Sequence, residues 1–300
     1  MKSPDYVSFP KIILILIRSR LEALFIWTWC TAISCLIAGR GFPPVKATLM
    51  SIFGMFFISM SVYFYNDVID KEMDKLNPIK KNRPLASNIV SEKDVIKFIY
   101  LSGLIGLTIN LTLNIYSFIF SFAYLFLFAI YSYPKIRLKN KFLGKELIIF
   151  LGWPLCGLVA CYAVIGSFSI TVFVSAVLFG IFGFLLLPIF ADSLDMKEDM
   201  LYGVKSLAII LSWKRKIQLL IFAILFIMTI TPLTYVQLGF NVLLPIIVVA
   251  MSLLLLRFMF PIMKGFEQKE VLKAKKIAYA YFLLLQLVVV FGTLNLNLFI

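Results

Sequence analysis

Two stretches of this chain place carboxylates where they could share an ion. One reads Tyr65-Asn66-Asp67-Val68-Ile69-Asp70-Lys71-Glu72-Met73-Asp74, the other Ala191-Asp192-Ser193-Leu194-Asp195-Met196-Lys197-Glu198-Asp199, and both contain D-x-x-D-x-x-x-D. Asp67, Asp70 and Asp74 each recur 125 residues later, as Asp192, Asp195 and Asp199. On a helix, positions i, i+3 and i+7 share a face, so each motif would stack three carboxylates along about two turns. At roughly 6 Å and an effective dielectric near 20, neighbouring carboxylates repel by about 3 kcal/mol. Such a stack takes up protons or holds a cation. Its ligands are all oxygen, and the chain has no histidine at all. That donor set selects hard ions, Mg²⁺ above all where phosphate oxygens complete the shell.

A single motif of this kind could be a wet loop whose acids pair with Lys71, Lys75 and Lys197. Two in one register, at equivalent helix ends, argue against that reading. Lys75, Lys80, Lys81 and Arg83 follow the first motif, and Arg83-Pro84 stiffens the return of the chain. A second cationic run, with Tyr131, Tyr133, Lys135, Arg137, Lys139 and Lys141, surrounds Pro134. A diphosphate needs both a bridging metal and direct cationic contacts of this kind.

The elements that must position these groups are membrane helices. Hydrophobic residues make up 62% of the chain and charged residues only 15%, against about 25% charged in an ordinary soluble domain. Several apolar runs reach the roughly 18 residues that a bilayer span requires. The pattern predicts nine spans, near 21–39, 45–66, 94–113, 115–133, 145–165, 168–191, 215–235, 239–261 and 274–297. The motifs end spans two and six, four helices apart. The expected fold is therefore an all-α integral membrane bundle: two similar four-helix units plus a ninth helix, forming one domain over residues 1–300. Residues 1–20 read as an interfacial lead-in, and 67–93 and 192–214 as the loops that carry the motifs.

Charge placement sets the expected orientation. Of 29 Lys and Arg residues, only Arg40 and Lys46 fall in the joint between spans one and two. The others lie in the N-terminal segment, the even-to-odd loops or adjacent helix ends. Lys/Arg excess marks the cytoplasmic side, which puts the N-terminus and both motif loops inside and the C-terminus outside. It also accounts for the net charge of +14 by topology and lipid head groups, so no nucleic-acid partner is expected. Cys30, Cys35, Cys156 and Cys161 all sit in apolar segments without CxxC spacing, which points to inert thiols.

These residues resemble the UbiA superfamily of intramembrane prenyltransferases. Asn66, Asp67, Asp70 and Asp74 match its N-D-x-x-D-x-x-x-D signature, followed by Arg83-Pro84-Leu85-Ala86-Ser87 for R-P-[LI]-x-S. The segment Tyr131 to Lys139 looks like the family's Y-x-x-P-x-x-[RK]-[LF]-K loop. Asp192, Asp195 and Asp199 match the second motif, and Gly203-Val204-Lys205-Ser206-Leu207 trails it. Asn88 stands where many members have Gly, and Asn tolerates the left-handed conformation a turn there requires.

The resemblance implies a Mg²⁺ cofactor held by Asn66, Asp67, Asp70, Asp74, Asp192, Asp195 and Asp199, with Asp67, Asp70, Asp192 and Asp195 central to catalysis. It implies a diphosphate gripped by Arg83, Lys135, Lys139 and Tyr131. The partners it implies are a prenyl diphosphate donor, an acceptor such as a quinone-precursor ring or an archaeal-type glycerol lipid, and membrane lipid. A terpene cyclase on the same scaffold and a secondary transporter are the alternatives. Transporter sites lie near the bilayer midplane, whereas these acids end helices at one mouth.

Overall fold

In the computed structural model, residues 9–77, 80–194, 196 and 206–296 are described. Among them nine helices are long and apolar enough to cross a membrane. An amphipathic helix, α1 (Phe9–Ser19), precedes the first span, α2 (Leu21–Ala38). Then come α3 (Val45–Leu76), α4 (Glu92–Leu113), α5 (Ile115–Ser132), α6 (Gly144–Val164) and α7 (Ile170–Leu186). A π-turn, Leu187–Ala191, links α7 to the single-turn α8 (Asp192–Leu194). The short α9 (Leu207–Ile210) leads into α10 (Trp213–Thr234), α11 (Leu243–Ile262) and α12 (Gln268–Gly292).

Each helix packs on its chain neighbour, and α12 returns to touch α2 and α7, closing the bundle. The two four-helix units are α2–α5 and α6, α7, α10 and α11, with α12 the ninth span. Leu104, Phe122, Phe222 and Leu254 stand exposed around the outside. In water such patches would drive aggregation; against acyl chains they are the solvent-matched surface, and the protein is a multi-pass integral membrane protein. The α3–α4 pair is close because Gly106 lets the backbone in: a Cβ there would meet the Gly54 carbonyl at 2.7 Å. Small residues do this service at membrane helix interfaces.

One departure from the sequence-based boundaries, and one irregularity inside a span that ends where expected, matter for function. The second span does not end at residue 66. Its helix continues to Leu76, so the first motif is rigid helix rather than loop. The sixth span runs into the π-turn at Pro188, which has no N–H to continue the α pattern, and this turn immediately precedes Asp192.

A second, smaller core lies at the motif end of the bundle. Ile12 and Leu16 of α1 pack with Met60 and Phe64 of α3, Leu85 and Val90 of the following loop, and Val95 and Phe98 of α4. The interfacial segment is thus strapped across the loop that carries Arg83. That loop turns at Asn88, whose φ of 59° is the left-handed conformation its side chain tolerates.

Candidate active site

The first motif occupies the last turns of α3, where the helix dipole is negative and further carboxylates are unfavourable. Asp67, Asp70 and Asp74 are nevertheless all buried. Protein cations make this tolerable. Arg20, at the junction of α1 and α2, forks onto Asp67, with Nε donating to Oδ2 at 3.0 Å and Nη2 to Oδ1. Arg83 Nη1 donates to Asp74 Oδ2 at 2.7 Å and reaches Asp67 Oδ1 at 3.5 Å. Burial opposes the Arg20 charge, but Asp67 and then Asp74 outweigh it and hold its pKa above the ordinary value. Lys71 and Lys75 do not serve the motif; they pair with Glu92 and Glu72.

Asp70 points elsewhere. Lys139 Nζ donates to its Oδ2, and Arg137 Nη2 donates to its Oδ1 at 3.2 Å. Lys139 also approaches Asn66 Oδ1 at 3.4 Å, and Ser132 Oγ donates to that same oxygen at 2.7 Å. Burial pushes the Lys139 pKa below the ordinary lysine value, against the pull of Asp70. The loop carrying these cations is tightly built. Arg137 has a left-handed φ of 43°, and a Cβ at Gly144 would lie 1.9 Å from the Leu138 carbonyl oxygen.

Asp192 of the second motif is buried and paired with Lys145 at 2.7 Å. The loop that carries Lys139 runs directly into α6, whose Lys145 holds Asp192, so the two motifs lie at the same end of the bundle. Asp195 and Asp199 lie outside the described residues.

At this end the structure joins Asn66 and Asp70 to Lys139, Asp67 and Asp74 to Arg83, and Asp192 to Lys145, with Tyr131 partly buried at the end of α5. Lys135, expected to grip the diphosphate, is exposed, whereas Arg137 reaches Asp70. Arg20, Ser132 and Lys145 were not legible as site residues. The two cations read as topology signals, and Ser132 is a small polar residue at a span end.

Among the described residues no three Asp, Glu, Cys or His side chains gather around one point. Mg²⁺ does not need such a cage: it takes one or two carboxylates and fills its shell with water and phosphate oxygens. Asn66 Oδ1 and Asp70 Oδ2, one turn apart, converge on a single cation, Lys139 Nζ. That donor pair fits a Mg²⁺–diphosphate.

Fold and site together define a polytopic helix-bundle membrane protein with a cluster of paired acidic and basic side chains at one end. A profile of the UbiA prenyltransferase family matches residues 27–285. The chain belongs to that family, and it is a prenyltransferase. It is 23% identical over 216 residues, 71% of this chain and 76% of the relative, to a 4-hydroxybenzoate octaprenyltransferase of Vesicomyosocius okutanii subsp. Calyptogena okutanii (strain HA). The solved structure of a digeranylgeranylglyceryl phosphate synthase superposes with a TM-score of 0.75 at 21% identity, covering 94% of this chain and 98% of that one. A UbiA homologue from Archaeoglobus fulgidus, bound to GPP and Mg²⁺, gives 0.65 at 14% identity over 91% and 99%.

Proposed function

We propose that this prenyltransferase ionises its prenyl diphosphate with the help of Mg²⁺ held between the two motifs, on the cytoplasmic side of the membrane. The reading rests on the convergence of Asn66 Oδ1 and Asp70 Oδ2 on one cation position. Asn66, Asp70 and Asp192 would hold the metal, and the register of the repeat adds Asp195, the counterpart of Asp70. Asp67 and Asp74, expected as ligands, are better engaged in holding Arg20 and Arg83. Bound at this site, Mg²⁺ neutralises the diphosphate as a leaving group.

The protein's own cations do the rest of the electrostatic work. Arg83, Arg137 and Lys139 are already partly desolvated beside the motif. As a diphosphate enters, they exchange carboxylate for phosphate oxygens and stabilise charge that develops on the departing group. The allylic C–O bond breaks with its electron pair on the diphosphate. The packed core behind the site, where Trp27 Nε1 donates to Tyr63 Oη at 2.8 Å, excludes water from the carbocation until the acceptor attacks. The acceptor is a quinone-precursor ring or a glycerol lipid, the classes named by its relatives.

The test uses purified protein and a labelled prenyl diphosphate. Diphosphate release should need Mg²⁺ and stop with chelator. Asp70→Ala and Asp192→Ala should each lower turnover by at least about 100-fold, the scale of one lost electrostatic contact in catalysis. Wild-type turnover in a folded Asp70→Ala protein would sink the assignment.

A further inference from the structure

The second motif is held by a buried lysine that the reaction as described does not use. Lys216, in the first turn of α10, is 3% exposed. Its Nζ donates to Ser193 Oγ at 2.7 Å and to the Ala208 carbonyl at 2.6 Å, and lies 3.8 Å from Met196 Sδ. Three neutral acceptors take its three N–H donors, and among the described residues it forms no ion pair. Burying an ammonium without a carboxylate partner is costly, so its retention implies a task. Asp192 is the anion whose charge acts on it.

The contacts show what that task is. Ser193 Oγ, which accepts from Lys216, itself donates to the Pro188 carbonyl at 2.9 Å. The lysine is therefore tied through one hydroxyl to the π-turn that aims Asp192. Ala208 lies on α9, after the motif. Glu146, fully buried in the first turn of α6, accepts the Leu207 N–H at 2.6 Å. Glu146 satisfies the first N–H of α9 and Lys216 a carbonyl one residue later. Lys145, next to Glu146, pairs with Asp192. Two adjacent residues of α6 and one of α10 thus hold Asp192, Ser193 and α9 together.

We propose that Lys216, assisted by Glu146, is a positioning residue: it fixes the π-turn and α9 against each other and so sets Asp192 for metal and diphosphate. This rests on the metal reading above, but its physical core is testable without metal.

Hydrogen exchange is measured on metal-free protein in detergent, comparing wild type with Lys216→Met, which keeps the length and removes the donors. Peptides covering 187–194 and 206–210 should exchange about tenfold faster or more, the factor expected for losing hydrogen bonds from a charged donor. Peptides from 60–76 should be unchanged. Glu146→Leu should accelerate 206–210, whereas Glu146→Gln keeps an acceptor for the Leu207 N–H and should not.

With metal, Lys216→Met should raise the Mg²⁺ concentration for half-maximal product formation about tenfold. The prenyl diphosphate KM at saturating Mg²⁺ should move less than about twofold, because the lysine touches neither substrate nor first motif. Wild-type exchange at both peptides in folded Lys216→Met overturns the proposal. If that variant does not fold, Ser193→Ala, which cuts the link to the π-turn, gives the same reading by acceleration or its absence in 187–194. An enzyme indifferent to Mg²⁺ defeats the metal reading and leaves the exchange result standing.

Discussion

Arg83 and Asp74 are nine residues apart in sequence and 2.7 Å apart in space, and the same guanidinium nitrogen reaches Asp67. A lysine offers one point charge and cannot reproduce the two parallel N–H bonds with which a guanidinium would grip a phosphate. Arg83→Lys should raise the KM for prenyl diphosphate or lower kcat by roughly 10- to 100-fold, in line with a charge-assisted contact of about 1.5–3 kcal/mol. Lys81→Arg is the control, because Lys81 is exposed and forms no ion pair among the described residues; equal small effects from both would return Arg83 to a topology signal. Lys139 carries a pH signature. Burial lowers its pKa despite Asp70, so its charge is lost at a lower pH than a free lysine's, and diphosphate affinity should fall on that alkaline limb. In Lys139→Arg, whose guanidinium stays protonated, the limb should move to higher pH; an unmoved kcat/KM profile would clear Lys139 of the role. The aspartates were legible because the repeat is a pattern of rare residues. Arg20, Lys145 and Lys216 were not, since one basic residue among many at a membrane face looks like any other until its partner is known.

At the scale of elements, the legible part was where apolar runs begin and end, and the illegible part was what happens where they become polar. Nothing in the composition of Val68 to Leu76 shows that α3 carries straight on, because a helix leaving the membrane becomes polar just as a loop does. Nor does Pro188 reveal that its turn is a π-turn that presents Asp192. The interfacial lead-in was read as a segment, but its attachment was not: α1 is fixed by Ile12 and Leu16 in the small core and by the Arg20–Asp67 fork at its end. That attachment makes a prediction. Arg20→Ala leaves Asp67 buried with only the 3.5 Å contact to Arg83, and should cost about 1.5–3 kcal/mol, seen as a lower thermal midpoint in detergent. Because the two groups share one interaction, a cycle with Asp67→Asn should be non-additive, with Arg20→Ala adding little once the carboxylate is gone. Additive losses would mean that α1 is held by its apolar face alone.

The whole molecule is asymmetric in charge, and that asymmetry supports the orientation proposed for it in the membrane. Arg40, between α2 and α3, and Lys46, in the first turn of α3, lie at the end remote from the motifs, while the cations of the site crowd the other end with Asp67, Asp70, Asp74 and Asp192. Cytoplasmic loops retain Lys and Arg, and a water-soluble ion such as Mg²⁺ is met at a mouth, not at the midplane. Both considerations support the proposed cytoplasmic placement of the site. An odd number of spans then sends the two chain ends to opposite sides, and the α6–α7 joint to the outside. The four native cysteines are free and buried, so replacing them leaves a background in which one introduced thiol reports its side. Lys93→Cys, exposed at the start of α4, should react with an impermeant maleimide only after the cytoplasmic face is opened. Ser167→Cys, exposed between α6 and α7, should react in intact cells. Reaction of both from one side would mean that the chain crosses the membrane an even number of times between them, four or two rather than three. The four-helix repeat that places Asp70 and Asp192 at one end of the bundle would then have to be redrawn.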